Sequence, residues 1–238
     1  MDNKRTLHIG GQLGNQLLRC FIALADSLEN NYEIASIKIT HSPNYLEELL
    51  ELKVPAELQA EEKLNDIDHN AEENVHKLFK YRSRIFQKGW VKLKGQNDFI
   101  RAKSCLHIRG TDKKVAPLEW YYKKAKEHDK NSSIHVCTDD RWRRYMFKVW
   151  LISSGIRNVG FSYQDAVSDW FTLLHADRVY CSSSSFPLST LLFNPDKHII
   201  VCSRKSTNYD YQRESRKIAE FLFIETAMNY CPNLRFED

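Results

Sequence analysis

The chain is short of the residues that build loop-dominated folds. Eight glycines and six prolines in 238 residues exclude a collagen-like or Pro/Gly-rich low-complexity chain, and no internal repeat is present. The six cysteines, Cys20, Cys105, Cys137, Cys181, Cys202 and Cys231, form no CxxC pair and no Cys/His group at metal-ligand spacing. That argues against a disulfide scaffold or a zinc module, and no metal site is expected. Several lie in apolar, strand-like contexts such as HVCTDD and RVYCSS, so they read as buried, reduced thiols. No apolar run approaches the length of a membrane span, and MDNKRTLHIGG lacks the apolar region of a signal peptide. The expectation is a cytoplasmic chain without a transmembrane segment. A formal charge of +4 is too small to argue for nucleic acid.

What the chain does have begins at LHIGGQLGNQLLRC, residues 7–20. Leu7 and Ile9 end a short apolar strand, and Gly10, Gly11 and Gly14 permit a tight turn. From Leu17 onward, Leu18, Phe21, Ile22, Ala25 and Leu28 recur at helical spacing. Such a turn also lets a ligand approach the backbone, and a helix N-terminus favours an anionic group.

Charge then changes sign along the chain. Residues 47–73 are acid-rich and residues 77–103 basic, which fits either solvated helix faces or a basic wall beside an anionic substrate. HSPNYLEELLEL reads as a turn and a helix, and VHKLFKYRSRIFQ as another helix. KGQNDFIRAKS reads as a linker, dividing the chain into lobes 1–100 and 101–238.

The second half alternates. SCLHIRG, SIHVCTDD, RNVGFS, DRVYCS and HIIVCSR read as strands. LEWYYKKAKEHDK, RRYMFKVWLISSG, DAVSDWFTLLHA, a Ser-rich turn leading into SFPLSTLLFN, and RESRKIAEFLFIETAMNY read as helices. Strand–helix alternation predicts an α/β fold with a parallel, doubly wound sheet. Ligands in such sheets bind at the carboxyl ends of strands, and HIRGTD, CTDD and CSSSSF are polar groups at those ends.

Each has two readings. Arg109 suits a bidentate phosphate clamp or a structural ion pair with Asp112. His107 and Asp112 could hydrogen-bond a base, a ribose or the arginine. Ser182, Ser183, Ser184 and Ser185 offer hydroxyls and helix amides to phosphate, or simply cap the helix. Asp139 and Asp140 could bind a ribose or a metal, or cap the helix that follows. Asp169 faces either a ligand or solvent.

Taken in order, these segments resemble the fucosyltransferase superfamily. GGQLGNQ resembles the G-x-x-GNQ turn of the α-1,2-fucosyltransferases and protein O-fucosyltransferases. HIRGTDK resembles H-x-R-x-x-D, close to the α-1,6-fucosyltransferase form HVRRTDK. VCTDD and SDWFTLLHADRVYCSSSSFPLSTLLFNP resemble the motifs that follow. The resemblance implies a GT-B-like fold of two Rossmann-like lobes with parallel sheets: an N-terminal acceptor-side lobe and a C-terminal nucleotide-sugar-binding lobe. It implies GDP-fucose as donor substrate, a glycan acceptor, inverting transfer, and no obligatory metal or other cofactor. It gives Arg109 the β-phosphate, His107 and Asp169 the guanine or backbone positioning, and Asp139 or Asp140 a ribose- or guanine-side contact. Ser184 and Ser185, with Ser183 beside them, fall in the phosphate turn. Gly11, Gly14 and Asn15 fall where the first lobe approaches the sugar nucleotide. Asp112 and Glu119 are the nearby carboxylates that could serve as base.

The chain departs from that pattern in three places. Gly110 stands where many members carry a second Arg, the Ser-rich turn continues FPLS without tryptophans, and the first lobe is short. Two other classes stay open: a dinucleotide oxidoreductase, against which the G-x-G-x-x-G spacing is missing, and a non-catalytic nucleotide- or carbohydrate-binding module. A transferase using another nucleotide sugar is the third alternative.

Overall fold

The computed structural model describes residues 4–40, 43–53, 62–64, 68–96, 98–109, 116–127, 133–156, 158–161, 165–203 and 215–238. The chain divides into two compact units, Met1–Gly95 and Gln96–Asp238.

In the first unit the apolar strand β1 (Lys4–Ile9) leads through Gly10–Gln12 into the helix α1 (Leu13–Asn30). The helix therefore starts four residues before Leu17, and Gly14, Asn15 and Gln16 belong to its first turns rather than to the connecting loop. The reason is local. Gly11 adopts φ +94°, which reverses the chain early, and Gln16 ties the turn down with side-chain bonds described below. β2 (Glu33–Ile39) and β4 (Glu62–Leu64) flank β1, both parallel to it. α2 (Tyr45–Leu49) runs straight into β3 (Leu50–Leu52), which pairs antiparallel with β5 (Val91–Leu93).

The helix α3 (Glu72–Gln87) packs on α1, with Phe21 and Phe86 in ring contact at 5.6 Å. Lys77 pairs with both Asp26 and Glu29 of α1, Lys80 with Glu29, and Lys92 with Glu51. These members of the basic segment are thus answered by carboxylates of their own unit. Partly exposed pairs of this kind contribute about 0–1 kcal/mol each, so apolar burial holds the helices together. Leu17, Phe21, Ile22, Val75, Leu78 and Ile85 are all essentially inaccessible.

The second unit alternates as the sequence predicts. Its elements are β6 (Ser104–Ile108), α4 (Leu118–Glu127), β7 (Ile134–Thr138), α5 (Arg141–Ser153), β8 (Val159–Phe161) and α6 (Ala166–His175). There follow β9 (Arg178–Cys181), α7 (Ser185–Leu188) with a 3₁₀ turn at Ser189–Leu192, β10 (His198–Cys202), α8 (Ser215–Met228) and β11 (Leu234–Glu237). All six strands are parallel, in the order β11-β10-β9-β6-β7-β8. β6 and β9 are neighbours although β7 and β8 separate them in the chain. This is the doubly wound order, whose direction reverses between β6 and β9.

β6 is buried at every position, as a central parallel strand covered on both faces must be. One face packs Leu106, Ile108, Ile134 and Val136 against Trp120, Tyr121, Phe147 and Leu151 of α4 and α5. Two features differ from expectation. LRFE at the C-terminus adds a sixth strand, too short to give a period-2 signal. The helix after the serines is one α turn continued as 3₁₀, because the Ser189 and Thr190 hydroxyls donate to the carbonyls of Phe186 and Pro187 and compete with helical amides. All six cysteines are free and buried. Burial pushes the Cys20 and Cys202 thiols up to about 12. Among the described residues no helix is long and apolar enough to cross a membrane.

Candidate functional site

In a doubly wound sheet the crevice opens at the carboxyl ends of the two strands where the order reverses. Here those ends are Ile108-Arg109 of β6 and Cys181–Ser184 of β9. Their side chains meet. Arg109 Nη1 donates to Ser184 Oγ at 3.2 Å across 75 residues of chain. Arg109 is partly exposed, whereas Ser182, Ser183 and Ser184 are buried. The serines therefore form the floor and the guanidinium the accessible edge.

Three residues fix this edge that the sequence reading did not single out. Tyr121 Oη donates to the His107 carbonyl at 2.9 Å. Arg143 Nη1 donates to the Arg109 carbonyl at 3.3 Å. The Phe186 ring stacks on the His107 imidazole at 5.2 Å. Each comes from a different helix, so local pattern carries no trace of it, although the aromatic after SSSS is visible in the sequence.

His107 is buried, and its Nδ1 has no hydrogen-bond partner. Burial above all, then the Arg109 charge, lowers its pKa to about 4, with Asp139 opposing the shift. It is a neutral imidazole at pH 7.

The carboxylates divide by role. Asp140 caps α5, accepting from the Trp142 and Arg143 amides at 2.9 and 3.1 Å, and stands 3.8 Å from Arg143 Nε. Asp139 is exposed at the end of β7. Glu119 is exposed in the first turn of α4. Asp112 and Gly110 lie outside the described residues. Ser185 opens α7 and is partly exposed.

Asp169 of α6 groups with His135 and Cys137 of β7, their potential ligand atoms within 4.8 Å of one another, and Cys137 is the register partner of His107 in the neighbouring strand β6. No spacing in the sequence announces that grouping. Both ring nitrogens of His135 are buried without a hydrogen-bond partner. Its ring lies over Gly160, where an added Cβ would stand 2.8 Å from Nδ1.

The glycine turn of the first unit has an internal explanation. Gly11, at φ +94°, lies against Asn15, and a Cβ there would stand 3.0 Å from Asn15 Cβ and Nδ2. Gln16 is fully buried. It donates to the Gly11 and Pro43 carbonyls at 2.9 and 3.1 Å and accepts from the Tyr45 amide at 3.1 Å. Arg19 Nη1 donates to the Gly10 carbonyl at 3.1 Å. Gly14 is buried and Asn15 partly exposed, so Asn15 is the member of GNQ with a side chain open to a ligand. A shallow groove of about 130 Å³ in this unit is lined by Leu24, Tyr32, Glu33, Ile34 and Trp90. It opens where β2 begins, at the end of the sheet opposite to the usual ligand edge.

Two solved structures are similar to this chain. One is NodZ α-1,6-fucosyltransferase soaked with GDP-fucose: 12% identity, TM-score 0.49, covering 87% of this chain and 97% of that one. The other is the same enzyme co-crystallised with GDP: 12% identity, TM-score 0.46, covering 81% and 93%. No protein-family model and no curated protein matches the sequence.

Proposed function

We propose that this chain is a glycosyltransferase that moves fucose from GDP-fucose to a hydroxyl of a glycan, with inversion. The observation that carries the reading is the 3.2 Å contact of Arg109 with Ser184. It joins the two segments, HIRGTDK and CSSSSF, that resemble the fucosyltransferase motifs, at the switch point where a nucleotide is expected. The motif order in the sequence supports the choice of donor.

The chemistry follows from charge. As the glycosidic C–O bond breaks, the sugar becomes oxocarbenium-like and the β-phosphate gains negative charge. Arg109 supplies a fixed guanidinium for that charge, held by Ser184 and, through its backbone, by Arg143. A preorganised donor of this kind stabilises a transition state by about 3–4 kcal/mol, so the developing negative charge is met by the protein's own guanidinium. Neutral His107, held by the Phe186 stack and the Tyr121 bond to its carbonyl, positions the backbone that carries Arg109. Asp139 is open to the ribose hydroxyls. The acceptor hydroxyl loses its proton to Asp112 or Glu119.

The test is release of GDP from GDP-fucose by the whole chain, against the same assay with UDP- and ADP-sugars and with an acceptor panel. GDP binding without any transfer would move the assignment to a nucleotide-binding module.

A further inference from the structure

α5 carries its apolar residues on both sides. One stripe, Arg144, Phe147 and Leu151, packs inward. The opposite face presents Trp142, Tyr145, Met146, Val149 and Ile152, exposed by 69, 59, 44, 47 and 56%. At about 100° per residue these five span an arc of roughly 120° directly away from the buried stripe. A solvated helix places polar residues there, and a contiguous exposed apolar patch marks an interaction surface.

The cationic side chains of α5 are Arg141, Arg143, Arg144 and Lys148; the helix carries no carboxylate. Arg143 is engaged with Asp140 and the Arg109 carbonyl, while Arg141 and Lys148 are exposed beside the apolar arc.

We propose that the outer face of α5 docks on an anionic lipid surface, with the helix lying in the membrane plane. Aromatic and aliphatic side chains flanked by cations, with no carboxylate among them, have the composition of an interfacial helix. Trp142 and Tyr145 suit the boundary between headgroup and acyl chain, and Arg141 and Lys148 meet lipid phosphates. A second copy of the chain fits less well. A two-fold contact would set the patch on itself, its cations included, with no α5 carboxylate to answer them. Because Asp140 caps α5 and Arg143 of its first turn donates to the Arg109 carbonyl, docking holds the switch point close to the lipid surface. The inference rests on α5 alone and stands apart from the donor assignment.

The test is co-sedimentation of the whole chain with vesicles of phosphatidylcholine, alone or with about one third phosphatidylglycerol. The expected result is at least roughly tenfold more binding to the anionic vesicles, weakened by salt, with a blue shift of tryptophan emission that Trp142→Ser abolishes. Trp142→Ser/Val149→Ser/Ile152→Ser should lose vesicle binding while its melting temperature and GDP affinity stay put. Arg141→Glu/Lys148→Glu should lose the preference for anionic lipid. Equal, negligible sedimentation with both vesicles overturns the proposal, as does binding that survives the triple variant. A dimer seen by light scattering that the triple variant dissolves also overturns it and assigns the face to a second copy. GDP binding, read in parallel, separates failure here from failure of the donor assignment.

Discussion

Arg109 reaches Ser184 across the strand pair where the sheet reverses direction, Nη1 to Oγ at 3.2 Å. The contact sets the arginine's planar fork at the mouth of the crevice. Lysine keeps the charge and loses the fork. Arg109→Lys is expected to stay folded and to lose roughly two orders of magnitude in turnover, about 3 kcal/mol. Ser184→Ala leaves the arginine but removes its anchor, and is expected to cost roughly tenfold, about 1–1.5 kcal/mol. Donor turnover and circular dichroism melts on both variants check this. Full activity in folded Arg109→Lys would end the transferase assignment at this edge.

Donor binding should be indifferent to divalent metal, because a guanidinium supplies the positive charge. Calorimetry with GDP in excess chelator is expected to give the affinity measured without it. Binding abolished by chelator and restored by manganese would require a metal in the donor site, and the His135–Cys137–Asp169 group would be the first place to look.

Neighbouring residues of the GNQ turn should behave oppositely. Gln16→Ala empties a fully buried side-chain position and strips partners from part-buried backbone groups of Gly11, Pro43 and Tyr45, and is expected to cost about 2–3 kcal/mol of stability. Asn15→Ala should leave the melting temperature nearly unchanged and lower turnover. If Asn15→Ala activity follows only its folded fraction, the turn is structural throughout.

Two histidines set the acid limb of stability. Burial lowers both His107 and His135 from 6.5 to about 4. Above pH 6.5 each is neutral whether folded or unfolded. Between 6.5 and 4 the unfolded chain takes up protons that the folded one does not, so stability falls with pH. The expected loss by pH 5 is about 2 kcal/mol per histidine, from 1.36 kcal/mol per unit of pKa difference. Denaturant unfolding at pH 7 and pH 5 reads it directly, and His107→Gln should remove the His107 share of the loss while His135 and His175, whose pKa burial also lowers, keep theirs. A flat profile over this window would contradict the burial of both rings.

Much of the architecture is legible in the residues. Alternating apolar runs and amphipathic stretches mark the second unit's helices and five of its six strands, because burial of a two-sided sheet imposes those periods wherever segments are long enough. β11 escapes because four residues carry no period of their own. α1 starts earlier than its apolar spacing suggests, because the turn is set by Gly11 and by Gln16 bonds to Pro43 and Tyr45, which lie far along the chain.

By itself the sequence determined the α/β class, the parallel sheet of the second unit and the polar strand ends, since these follow from local periodicity and turn chemistry. It also marked Arg109 and the serines as candidate site residues. Only the tertiary structure decided which strand ends are neighbours. The β6–β9 pairing brings Arg109 to Ser184 and sets Phe186 on His107. The packing of α6 on the sheet sets Asp169 beside His135 and Cys137. These are contacts between residues distant in sequence, fixed by the packing of layers on a sheet, and no window along the chain contains them.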